Sequence, residues 1–107
     1  MLALIIAGLK LQKSINVQSQ ANEVKLIVTS IGSKIEETHP TGKTALNLLA
    51  VNHNITLKNT FIECIDNVCA DSGYWWKFSV NEKESSESAH FYKVKDGDTI
   101  EFRFAKK

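Results

Sequence analysis

The chain has 107 residues, 43% of them apolar and 23% charged, with a formal net charge of +1. That is room for one domain and no second core, and the balance lacks the basic stripe that a phosphate backbone requires, so no nucleic-acid partner is expected. Arg103, Lys106 and Lys107 are the one local gathering of cations, and they read as a solvated tail.

Leu2 to Leu9 is apolar and is followed by Lys10 and Lys13. A spanning helix needs about 20 apolar residues, so this run is too short to be one. Two readings stay open for residues 1–21. One is an export-signal or anchor remnant giving membrane attachment, for which Ser19-Gln20-Ala21 supplies small residues where a signal peptidase reads. The other is a strand or short helix packed on the domain. It is favoured by the missing basic residues ahead of the run and the two lysines behind it. Asn16 to Asn22 is a polar linker, and the domain proper is taken as 22–107.

Val24 to Ile31 reads as a strand covered on both sides, with Val24, Leu26 and Val28 on one face and Ile27 and Ile31 on the other. Gly32-Ser33 would form a type II′ turn with the glycine first. Lys34 to His39 returns as a charged edge strand ended by Pro40. Thr41 to Val51 is the helix. Thr44 or Thr41 caps it, Ala45, Leu46, Leu49 and Ala50 form its apolar stripe, and a left-handed asparagine at Asn52 or Asn54 stops it.

Strands and turns then run to the end: Phe61 to Ile65 and Val68 to Ala70 around Asp66-Asn67, Tyr74 to Val80, a turn at Asn81-Glu82, a short strand Phe91 to Val94, a tight turn at Asp96-Gly97-Asp98, and Thr99 to Ala105. In the last, Ile100, Phe102 and Phe104 alternate inward against Glu101 and Arg103. The fold class this gives is α+β, a β-grasp-like mixed sheet with one short helix packed across it.

Cys64 and Cys69 are the only cysteines. With Asp66 and Asn67 as the turn, they face one another at a non-hydrogen-bonded position, where Cα atoms approach to about 4.5 Å, within bridging range. A disulfide, and with it an oxidising compartment, is the first reading. Two free thiols, or metal or redox chemistry, are the others, and the spacing does not match a zinc pair.

His39, His53 and His90 lie far apart and read as surface or capping residues, with no metal site and no cofactor expected. Asp96 and Asp98 read as turn formers rather than acid–base groups. Gly42-Lys43-Thr44 lacks the earlier glycine of a phosphate loop, because position 37 is glutamate. No polar constellation suggests catalysis, so the chain is read as not an enzyme. Trp75 and Trp76 point to opposite faces of their strand. Trp76 aligns with Phe78 and Val80 toward the core. Trp75 is either an exposed ring suited to anchoring a ligand or partner, or a ring buried beneath the helix or N-terminal segment.

Several segments taken together resemble the transcobalamin-like C-terminal domain family: Thr44-Ala45-Leu46, the stretch Phe61 to Val68, the run Trp75-Trp76-Lys77-Phe78-Ser79-Val80-Asn81, and Tyr92 to Phe102. The likeness spans about Val24 to Phe104. Asn81-Glu82 and Asp66-Asn67 stand where that family commonly has Asn-Gly. The resemblance implies a β-grasp-like, usually extracytoplasmic domain. It transfers no cobalamin-contacting residue, since the helical partner domain of transcobalamins is missing from this sequence.

The expectation is a non-enzymatic, extracellular or cell-surface module that binds an unidentified small molecule or surface protein, with Trp75, Asn81 and His90 as the binding residues. The alternative is a structural or adhesive surface domain with no small-molecule ligand, and corrinoid binding is a third reading. A sulfur-carrier role is disfavoured by the ending Phe104-Ala105-Lys106-Lys107 in place of Gly-Gly.

Overall fold

A computed structural model describes residues 23–85 and 87–107. The expectations for residues 1–21 and for the start of the domain at position 22 lie outside the described residues. Strands β1 (Glu23–Ser30) and β2 (Ser33–Pro40) form a hairpin, followed by helix α1 (Ala45–Asn52). Then come β3 (Ile55–Lys58), β4 (Phe61–Ile65), β5 (Val68–Cys69), β6 (Tyr74–Val80), β7 (Lys83–Glu84) and β8 (Thr99–Lys106). Five strands make a mixed sheet in the order β2-β1-β8-β6-β7, and β3-β4-β5 make a smaller one. β1 and β8 run parallel and the other pairs antiparallel. This is the mixed sheet with one short helix that the sequence implied.

The period-two pattern sets the core. Val24, Leu26 and Val28 of β1 lie beside Ile100 and Phe102 of β8, and pack with Trp76, Ala45, Leu48, Leu49, Ile65 and Val94 in one buried cluster. The opposite face of β1 is not sandwiched among the described residues. Ile27 is only half-buried there, flanked across the strands by Glu36 and Glu101, and Ile31 is 77% exposed in the turn. The turn itself is Ile31-Gly32, because Ser30 pairs with Ser33. Gly32 is therefore the second central residue, at φ +74°, as a type II turn demands. That one-residue correction leaves Ile35, Glu37 and His39 on the same side of the sheet as Val28, Leu26 and Val24.

Thr44, not Thr41, caps α1: its Oγ1 accepts from the Asn47 amide at 3.2 Å and donates to Asn47 Oδ1 at 2.8 Å. Leu48 replaces Ala50 in the buried stripe, because the bulkier Leu48 sits three residues from Ala45 and beside Leu49, and Ala50 is exposed. No left-handed asparagine ends the helix. The cap is His53, extended at φ −131° and ψ 145°, so that the chain enters β3 directly. The expected strand Phe91 to Val94 is only an isolated bridge between Thr44 and Lys93. Its backbone serves the helix instead. Tyr92 and Ala89 carbonyls accept the Ala45 and Leu46 amides at 2.9 and 3.0 Å, which satisfies first-turn donors that a helix cannot satisfy itself.

The β4–β5 hairpin turns through Asp66 and Asn67, both at positive φ (49° and 72°), the signature of a type I′ turn. Cys64 and Cys69 pair across it with Cα atoms 4.0 Å apart and form a disulfide.

Candidate binding cleft

A cleft of about 350 Å³ opens along β6, between the β3–β4 hairpin and the segment after β7. Phe61 and Ile62 line one wall, Trp75 and Phe78 the strand side, and Ser88 and His90 the other wall. Each element is placed by local chemistry. The β3–β4 hairpin turns at Asn59, which takes φ +58°. Ser88 ties the following segment to it through Oγ to the Thr60 carbonyl at 3.3 Å, and the same Oγ accepts the His90 amide at 3.1 Å. The Ser85 amide donates to the Phe78 carbonyl at 3.0 Å, joining the segment to β6.

Of the lining aromatics, Phe61 is 69% and Trp75 39% exposed, and Phe91, next to His90 in sequence, is 60% exposed. The rings of His90 and Phe91 meet edge-on at 4.9 Å. Trp76, by contrast, is buried. Its Nε1 donates to the Val68 carbonyl at 2.9 Å and its ring lies 5.1 Å from that of Phe104. Such a site can take apolar or planar matter against its aromatic walls and orient it with few polar contacts.

The structure brings Trp75 and His90 to one cleft but leaves Asn81 outside its lining. Asn81 is spent on the fold. Its Oδ1 accepts the Thr99 amide at 2.8 Å and its Nδ2 donates to Asp98 Oδ1 at 3.0 Å. Buried Asp98 also accepts the Tyr92 hydroxyl at 2.7 Å and the Lys95 amide at 2.9 Å. Burial alone would raise the Asp98 carboxyl, but these donors outweigh it and hold it below its ordinary value of 3.8. Burial and the neighbouring carboxylate push the Tyr92 hydroxyl up to about 12. Asp96 and Asp98 are thus turn residues, and Gly97 carries the positive φ, +81°.

A wider hollow of about 630 Å³ lies beside the start of α1, with Lys43, Thr44, Asn47 and Lys93 among its residues. It is a shallow surface, and the helix amides that would hold an anion are already bonded to Tyr92, Ala89 and Thr44. The aromatic cleft is the better-formed site.

One charged cluster escaped sequence reasoning. His53 Nδ1 lies 2.6 Å from Asp66 Oδ2 and its Nε2 2.8 Å from Glu37 Oε2. His39 Nε2 lies 2.8 Å from Glu37 Oε1, which also accepts Asn52 Nδ2 at 3.3 Å. His39 and His53 are therefore buried and paired, not surface residues. The available signal was the alternation of Ile35, Glu37 and His39 along β2, which places all three on one side of the strand. Among the described residues no group of three or more His, Cys, Asp or Glu is arranged to hold a metal ion. None of their helices is long and apolar enough to cross a membrane.

A model of the DUF4430 family, a domain of unknown function, matches residues 42–106. No curated protein matches the chain. Among solved structures, a Ruminococcus gnavus ATCC 29149 protein provisionally described as a metal binding protein superposes with a TM-score of 0.67 at 19% identity, over 80% of this chain and 98% of that one. Haptocorrin in complex with Cbi superposes with a TM-score of 0.65 at 20% identity, over 79% of this chain. This chain spans 25% of haptocorrin. At these identities the likeness concerns the fold, and it agrees with the transcobalamin-like resemblance of the sequence.

Proposed function

The chain belongs to the DUF4430 family, and on that premise we propose that it is an extracytoplasmic, non-enzymatic module that binds an apolar or aromatic ligand in the cleft along β6. The observation that carries this reading is a cleft with Phe61, Trp75 and Phe78 in its lining and a rim segment fixed by Ser85 and Ser88. Exposed tryptophan and phenylalanine cost stability in water and are the residue types that anchor interfaces. The Cys64–Cys69 bridge supports an oxidising compartment. The charged side chains that are buried pair with one another or close turns, which supports binding over catalysis. The likeness to a protein solved with Cbi puts corrinoids on the panel of probes, beside haems, sugars and surface proteins.

The test is tryptophan fluorescence and calorimetry of the chain against that panel. A probe that binds wild type should lose at least about tenfold in affinity with Trp75→Ala, as expected for an interface anchor, while the thermal midpoint shifts by no more than an exposed substitution allows. A Trp75→Ala chain that keeps full affinity refutes the reading. A second reading, an adhesive or spacer domain without a small-molecule ligand, draws support from Ile31 and Ile35, exposed on the β1–β2 hairpin. A panel without a single binder favours it.

A further inference from the structure

His53 is almost fully enclosed, with its side chain 3% exposed, and each of its ring nitrogens faces a carboxylate from a different element. Glu37 comes from β2 of the large sheet, Asp66 from the β4–β5 turn of the small sheet, and His53 itself caps α1. With both carboxyls ionised, both contacts are hydrogen bonds only when both ring nitrogens carry protons, because a neutral imidazole has one donor. The other groups around the ring agree with carboxylates that accept. Glu37 Oε1 takes His39 Nε2 and Asn52 Nδ2, and Asp66 Oδ1 takes the Asn54 amide. Burial opposes ionisation of both acids, yet their hydrogen-bond partners, His53 foremost for Asp66 and His39 for Glu37, hold each carboxyl below its ordinary value. His39 has a single carboxylate contact, which a neutral ring satisfies.

We propose that His53 is a pH-sensitive clamp: as an imidazolium it fastens one end of the small sheet to the helix and the large sheet, and loss of one proton loosens that end. When the second proton leaves, one ring nitrogen becomes a lone pair facing a carboxylate oxygen, and attraction turns to repulsion. The clamp is thus held while both ring nitrogens carry protons and lost once one of them is bare. The small sheet carries Phe61 and Ile62, one wall of the cleft. Release would therefore loosen the cleft, a consequence that rests on the binding reading above. The clamp itself does not rest on it.

The experiment follows the ring nitrogens of His53 by 15N NMR, and the amide exchange of β4, from about pH 5 to about pH 8, the span over which imidazoles titrate. No ligand is needed, so failure here is separate from failure of the binding reading. In wild type, both ring nitrogens should be protonated at the acid end. Exchange in β4, corrected for its intrinsic rate, should rise by about tenfold as the proton leaves, as local opening becomes easier. Asp66→Asn should abolish the rise, because the asparagine amide donates to the ring nitrogen and a neutral His53 then satisfies both partners. His53→Ala should give fast exchange at every pH. A single neutral tautomer at the acid end, or the same pH course in wild type and Asp66→Asn, overturns the proposal.

Discussion

Two buried polar clusters hold this domain, and they differ in kind. The first gathers Asn81, Tyr92, Lys95 and Asp98 around one carboxylate at the end of the sheet where β8 begins. Its members are turn formers or lie just before a turn; the Tyr92 and Lys95 bonds close short stretches of chain, while Asn81 reaches across 17 residues to Asp98. The second joins Glu37, His39, His53 and Asp66, which come from a strand, a helix cap and a hairpin turn. Of the first, the turn role of Asp98 could be inferred from residue types. The second exists only once the tertiary fold brings its members together.

The comparison can be broken most severely at Asp98. Asp98→Ala leaves the Tyr92 hydroxyl, the Asn81 amide and the Lys95 amide without their charged acceptor, and should cost about 3 kcal/mol, since a hydrogen bond to a charged group is worth about 1.5 kcal/mol or more and two of these donors belong to exposed residues. Urea unfolding at neutral pH measures it. His53→Ala should cost about 2 kcal/mol by the same method, because Glu37 loses one of its partners in a largely enclosed site. If the loss matches that of Asp98→Ala, non-local charge is worth as much to this fold as local turn chemistry.

Acid should weaken both clusters together. Glu37, Asp66 and Asp98 are all held below their ordinary values of 4.5, 3.8 and 3.8. Their contribution is complete above those values and is lost as pH falls through the lower folded ones. A urea midpoint followed downward from neutral pH should drop on the acid side of about pH 4, and Asp98→Asn should flatten part of the fall. Reduction of Cys64–Cys69 should cost about 2 kcal/mol, the low end for a bridge, because the loop it closes is short. Guanidinium unfolding with and without reductant reads this. The smallest effect belongs to Glu82, a non-glycine at φ +72° in the β6–β7 turn. Glu82→Gly should add about 0.5 kcal/mol, the left-handed strain removed less the greater freedom of the unfolded chain.

What was legible follows the same division. The strands Tyr74–Val80 and Thr99–Lys106, the facing of Cys64 and Cys69, and the turn role of Asp98 all depend on residues close in sequence, and period-two alternation or turn chemistry decides them. The orientation of α1 was misread at one position, because Leu48 and Ala50 differ in bulk more than in pattern. The segment Phe91 to Val94 has a strand's composition but gives its carbonyls to a helix about 45 residues earlier, which no local pattern encodes. In the cleft, Trp75 and His90 were picked out by type. Phe61 entered only because the β3–β4 hairpin folds back beside β6. Asn81 looked like a binding residue because an amide at a turn serves a ligand and a neighbouring strand equally well.

The parallel pairing of β1 with β8 has a mechanical consequence. The two strands lie side by side and point the same way, so tension applied at Glu23 and at Lys106 pulls them lengthwise in opposite directions. Their ladder, Lys25 to Thr29 against Thr99 to Arg103, has evenly spaced bonds that would share such a load and yield as a group rather than one after another. An antiparallel terminal pair drawn from one end would instead unzip. For a domain stretched between its two ends, this geometry sets rupture by shear, and the β1–β8 seam is where a pulling experiment should find the peak force.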